Sequence, residues 1–143
     1  MSNFEVFKNE FQGDIVVPTD EDYAAAITRW VTSAERKAKV VAFVKDSQDV
    51  ARAIKYAKAN HLPIAVRGGG HNPSGASSSE DGLVIDLTRY INTITVDPDN
   101  RLADVGGGAM WSEPWIKQPC NMGWRLLPQQ NLVFVSPPIL QVD

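Results

Sequence analysis

The run Ile64-Ala65-Val66-Arg67-Gly68-Gly69-Gly70-His71-Asn72 sets the terms for the rest of the chain. A short apolar stretch breaks into three consecutive glycines and then delivers one histidine. Glycine has no Cβ and tolerates positive φ, so a second backbone or a ligand can approach it closely. Successive N–H groups in such a turn converge into an anion-binding concavity, a nest. On this reading Arg67 stands at its mouth as a permanent cation with a phosphate-matching fork. The following Pro73-Ser74-Gly75-Ala76-Ser77-Ser78-Ser79 is small and polar, which predicts loop and not helix.

The absence of a following helix decides between phosphate motifs. The dinucleotide fingerprint needs a helix opening at its glycines, and the P-loop needs Gly-Lys-Ser/Thr leading into a helix. Neither pattern is present. Two readings stay open on spacing alone. One is a strand, a glycine nest, a histidine and a second loop of small residues gathered around an anionic ligand. The other is a tight glycine turn with a surface histidine.

At 143 residues the chain suits a single domain, one able to bury roughly 70% of its unfolded surface. The formal net charge is −3, with acids and bases interspersed. That argues against a nucleic-acid partner, which calls for a basic stripe. A single cysteine, Cys120, excludes an internal disulfide framework and fits a reducing compartment. No signal-like segment opens the sequence and no apolar run is long enough for a bilayer, so the expectation is a cytoplasmic protein with no membrane partner.

Along the chain, residues 3–18 predict an extended entry segment closed by Pro18. Thr19 and Asp22 resemble a capping box, and Tyr23, Ile27, Trp30 and Val31 recur at helical spacing over 20–32. Val40-Val41-Ala42-Phe43-Val44 predicts a strand. Asp46-Ser47 offers an N-cap to a helix over 47–59, whose apolar stripe is Val50, Ala53, Ile54 and Ala57. Residues 62–66 complete a β-α-β unit, whose strands are expected to be parallel neighbours. Ligands of open α/β sheets bind beyond the carboxyl ends of strands, where the glycine run lies. Residues 82–87 predict a further buried strand, and 93–105 a hairpin turning at Asp97-Pro98-Asp99-Asn100. The hairpin enters a second cluster, Gly106-Gly107-Gly108. The two clusters are expected to meet around one ligand or to pack backbone against backbone. Beyond Trp111 the character changes: prolines crowd in and no amphipathic period survives. Residues 112–118 leave room for about two helical turns, and Leu132-Val133-Phe134-Val135 is one strand candidate.

The segment from Asp14 to Trp111 resembles the N-terminal half of the FAD-binding domain of FAD-linked oxidases. These form the vanillyl-alcohol oxidase/p-cresol methylhydroxylase superfamily, and the resemblance is to its berberine-bridge-enzyme-like branch. It is carried by Val40 to Val44 with Asp49-Val50, Leu62 to Asn72, Asp86-Leu87, and Val105-Gly106-Gly107-Gly108-Ala109-Met110-Trp111, in the family's order and spacing. It implies an α+β fold, a PCMH-type FAD-binding domain half built of a β-α-β unit plus a β-hairpin over 1–111, followed by a divergent C-terminal tail over 112–143. It also implies that Arg67, Gly68, Gly69, Gly70, His71 and Asn72 hold the FAD pyrophosphate, and that His71 bonds covalently to the flavin 8α-methyl. His61 matches no motif of the family and reads as structural.

The resemblance further implies hydride transfer from a small organic substrate to FAD and then to oxygen. The family's substrate domain and catalytic base have no counterpart here, so no catalytic residue is assigned, and Cys120 matches no flavin-binding cysteine. No metal site is expected. Two alternatives stand beside the oxidase: a catalytically inactive FAD-domain fragment serving as a binding module, and a repurposed small non-redox enzyme. A truncated domain exposes sheet surface, so a homo-oligomer is expected.

Overall fold

The computed structural model describes residues 3–97, 99 and 102–110, together with the strands at 125–129 and 132–136. The chain opens on helix α1 (Asn3–Glu10), where an extended segment was expected. Its phenylalanines explain the difference. Phe4 and Phe7 fall on one side of the helix and Phe11 follows it, so helical winding delivers three rings to one core. Phe7 stacks on Tyr56 at 4.4 Å and tilts against Phe11 at 5.1 Å. Pairs of this kind contribute about 0.5–1.5 kcal/mol beyond their buried area.

Strand β1 (Asp14–Val16) leads to a short helix α2 (Tyr23–Ile27) and a 3-10 turn at Thr32–Ala34. The predicted helix over 20–32 is therefore cut to its first half. The capping box does not form: Asp22 makes no side-chain bond, and Asp20 instead accepts from the Val17 N–H at 2.9 Å. Trp30, expected on the apolar stripe, lies beyond the helix and is 80% exposed.

Strand β2 (Val40–Phe43) is buried along its whole length, and helix α3 (Ser47–Ala59) follows as predicted. Asp46 caps α3 by accepting from the Asp49 N–H at 2.8 Å. Asp49 is fully buried and ties three segments together. Its carboxylate accepts from the N–H groups of Gln12, Gly13 and Lys45 and from Arg52. Its place in the first turn of α3 also favours a negative charge.

Strands β3 (Ile64–Arg67) and β4 (Leu83–Asp86) complete a four-stranded sheet of order β1-β2-β4-β3. Here the expectation of adjacent β2 and β3 fails. Both run parallel to β4, which lies between them, with Val40 and Ile64 each in register with Leu83. The burial of each strand gives the reason. Leu83, Val84 and Ile85 are buried on both faces and take the centre, as uninterrupted apolar strands do in parallel sheets. In β3 only Ala65 is buried, while Ile64 and Val66 stay exposed, a pattern suited to an edge.

Helix α3 covers one sheet face, as expected. Ala53 and Ala57 pack on Val40, Ala42, Val44, Leu83 and Ile85, with α1 outside them. The opposite face gathers Val41, Phe43, Ala65 and Val84 under Ala26 of α2. Strands β5 (Ile94–Asp97) and β6 (Leu102–Val105) form the predicted hairpin. The tail holds a second antiparallel pair, β7 (Arg125–Gln129) and β8 (Leu132–Ser136). The strand expected at 132–135 is present as β8. Its partner β7, which contains Pro128, was not foreseen. In a two-stranded pair every strand is an edge, which is where proline is tolerated. The helical turns expected at 112–118, and Cys120, lie outside the described residues. Among the described residues no helix is long and apolar enough to cross a membrane.

Candidate functional site

The glycine run begins where β3 ends, at the carboxyl edge of the sheet beside the last residue of β4. Its first member explains the second cluster. A methyl group built on Gly68 would come within 2.6 Å of the Gly107 carbonyl oxygen, so the two clusters pack backbone against backbone. The second cluster spends its donors internally: Gly106 N–H donates to Thr93, Gly108 N–H to Ile91 and Ala109 N–H to Gly106. The first cluster does not. Among the described residues, the successive N–H groups of Gly68, Gly69, Gly70 and His71 donate to no backbone or side-chain acceptor. Gly70 turns the chain with φ +71°, a conformation that side chains disfavour. Successive N–H groups left without acceptors are the arrangement of an anion nest, or cradle.

Arg67 does not stand free at the mouth of this cradle. Its guanidinium folds inward, donating to the Ala26 carbonyl at 2.9 Å and pairing with the buried Asp86 carboxylate at 3.2 Å. Asp86 in turn accepts from the N–H and hydroxyl of Thr88 at 2.8 and 2.6 Å. Its demand explains the inward turn, because a buried carboxylate without a partner would be far costlier than a desolvated pair. Asn72 keeps its place in the run, but its side-chain oxygen is taken by the Ser74 N–H and hydroxyl at 2.8 and 2.6 Å. That oxygen shapes the loop.

His71 is exposed at the end of the cradle. The Nε2–Cδ2 edge of its ring covers Gly69, where a methyl group would meet both atoms at 2.5 Å. The Trp30 indole lies against the other side of the imidazole, with centroids 5.9 Å apart. His61, at φ +53° after α3, is remote from this arrangement in sequence and takes the helix-ending turn. The structure thus brings Arg67, Gly68, Gly69, Gly70 and His71 together and adds three residues that the motif did not announce: Arg29, Trp30 and Asp86. Asp86 stood in the matched Asp86-Leu87 pair without a role. Trp30 was expected on the apolar stripe of the helix over 20–32, and Arg29 carried no signal of its own.

The described residues form an α+β fold with a glycine turn at the carboxyl edge of its four-stranded sheet, and comparison with known proteins identifies the family. Residues 38–114 match the FAD binding domain family, and the chain belongs to it. (R)-6-hydroxynicotine oxidase of Paenarthrobacter nicotinovorans is 34% identical over 112 residues, covering 78% of this chain and 24% of the relative. FAD-linked oxidoreductase YgaK of Bacillus subtilis (strain 168), itself uncharacterized, is 38% identical over 106 residues, 74% of this chain and 23% of the relative. Among solved structures, 6-hydroxy-D-nicotine oxidase of Arthrobacter nicotinovorans superposes with a TM-score of 0.73 at 33% identity, over 80% of this chain and 25% of that one. A glucooligosaccharide oxidase of Acremonium strictum, with a TM-score of 0.73 at 19% identity over 88% of this chain and 26% of that one, shares the fold. The chain spans about a quarter of the length of these relatives.

FAD is the cofactor this family specifies, and the residues present fit it. Four successive N–H groups without an acceptor among the described residues suit a diphosphate.

Proposed function

We propose that the N–H groups of residues 68–71 hold the diphosphate of FAD and that His71 carries the flavin through a carbon–nitrogen bond to its 8α position. The observation that carries this reading is the run of four acceptor-free N–H groups ending at an exposed imidazole. A neutral ring nitrogen is a competent nucleophile. The Acremonium oxidase, described as holding an 8α-N1-histidyl FAD, shows that this fold accommodates such a bond. When bound, the flavin supplies reversible acceptance of a hydride. The reaction class is oxidation of a small organic molecule with dioxygen as acceptor, in keeping with relatives named as oxidases. We place the protein in the cytoplasm, where its lone cysteine stays reduced.

The test is flavin absorbance on acid-precipitated, washed protein. Wild type retains the colour. His71→Ala folds but loses it on washing, because an exposed loop histidine contributes little to the core. Colourless wild type that also fails to bind added FAD would reduce the oxidase reading to ancestry. The alternative is a flavin-holding module without turnover, and protein that keeps its flavin yet consumes no dioxygen with any of a panel of alcohols and amines would establish it.

A further inference from the structure

Beneath the cradle lies a buried cation that the proposed function leaves unused. Arg29 follows α2 and is 6% exposed. Its Nη1 donates to the carbonyls of Ala26, Ile27 and Thr28 at 3.3, 3.0 and 3.0 Å, and its Nη2 to the Ser77 carbonyl at 2.8 Å. One guanidinium therefore fastens the end of α2 to the loop that follows His71. Its Nε finds no acceptor among the described residues, and neither does the Nε of Arg67. The two arginines meet under Gly70, where a methyl group would lie 3.3 Å from Arg29 Cδ and 3.3 Å from Arg67 Nε.

No carboxylate among the described residues lies at ion-pair distance from the Arg29 guanidinium. Asp86 is within ion-pair distance of Arg67 but not of Arg29. The Glu35 carboxylate accepts the Arg29 backbone N–H at 3.1 Å and leaves the guanidinium to neutral carbonyls. Burial, reinforced by the charge of Arg67, pushes the Arg29 guanidinium down to about 10, with Asp86 and Glu35 opposing. A cation held in this state gains from an anion brought near it. The nearest place for one is the cradle, a single glycine away.

We propose that Arg29 is a positioning residue of the anion site: its buried charge beneath Gly70 raises affinity for a diphosphate, while its fork holds the 71–79 loop in place. The proposal rests on the diphosphate reading of the cradle. A purely structural tie would use the fork and be indifferent to the charge, so Arg29→Met and Arg29→Lys separate the two.

The probe is ADP, which carries the diphosphate without the flavin, titrated into the full chain at several salt concentrations. Wild type binds with an affinity that falls as salt rises. Folded Arg29→Met binds about tenfold more weakly with a shallower salt dependence, the loss of one close but shielded charge interaction. Arg29→Lys, which keeps the charge and loses the fork, recovers most of the affinity and the salt slope. Folded Arg29→Met with wild-type affinity and slope would overturn the proposal while leaving the cradle reading intact. Should Arg29→Met not fold, Arg29→Gln, which removes the charge and can still donate to a carbonyl, takes its place: weaker binding with a shallower slope supports the charge, and wild-type affinity and slope overturn it. Wild type that binds neither ADP nor FAD would remove the cradle reading itself, and this inference with it.

Discussion

At the scale of single residues, the site is governed by what glycine leaves out. Gly70 combines a positive φ with contact to two arginine side chains. Gly70→Ala is expected to cost about 1–2 kcal/mol from the left-handed backbone alone, and to displace Arg29 or Arg67 in addition. The check is a urea midpoint lowered at constant slope, together with weaker ADP binding. Much of this site was open to inspection in the sequence, because the Arg67–Asn72 run advertises a close backbone approach by composition alone. What surrounds it was not. Arg29 reads as an ordinary basic residue at a helix end, and its burial follows only from the fold of the 71–79 loop onto Ser77. Trp30 fitted the helical period equally well, yet α2 stops at Ile27, the Arg29 fork takes its final carbonyls, and the indole swings out to His71. Periodicity reports what a helix would bury and is silent on where the helix stops.

At the scale of elements, α3 was predictable to its termini because cap and stop agree locally, although Ile54, expected on the buried stripe with Val50, Ala53 and Ala57, is exposed. The placing of β4 between β2 and β3 was not, because neighbours along the chain usually pair and nothing local marks an exception. Its doubly buried apolar run was the available signal. The first and fourth strands are also joined at their ends. Asp14 of β1 accepts from the Tyr90 hydroxyl and from Arg89, each at 2.6 Å, and Arg89 lies over the Phe43 ring at 3.9 Å. The hydroxyl bond from Tyr90, followed by that from Arg89, holds the Asp14 carboxyl below its ordinary range. A depressed carboxyl pKa contributes stability above the unfolded value, about 3.9, and loses it as pH falls through the lower folded value. Asp14→Asn should therefore be less stable than wild type at pH 7, by no more than about 1 kcal/mol for so exposed a group. The difference should close below pH 4, read as melting temperatures at the two pH values.

At the scale of the molecule, β3 is the last strand of its sheet among the described residues and presents Ile64 and Val66 to solvent. An apolar, unpaired edge is a template for another strand, and we propose self-association along it. Val66→Lys should shift sedimentation toward monomer without lowering stability, and a wild type that is already monomeric at micromolar concentration would refute the idea. The same edge bears on how the sheet comes into being. When β2, α3 and β3 have been synthesised, β2 has its partner β1, but the strand that lies between β2 and β3 is still to come. That strand arrives at the end of residues 68–82, the stretch holding both the cradle and the small-residue loop. The segment with the acceptor-free N–H groups is thus also the tether that joins β3 to the keystone strand, so its length and its glycines govern how the middle of the sheet is reached.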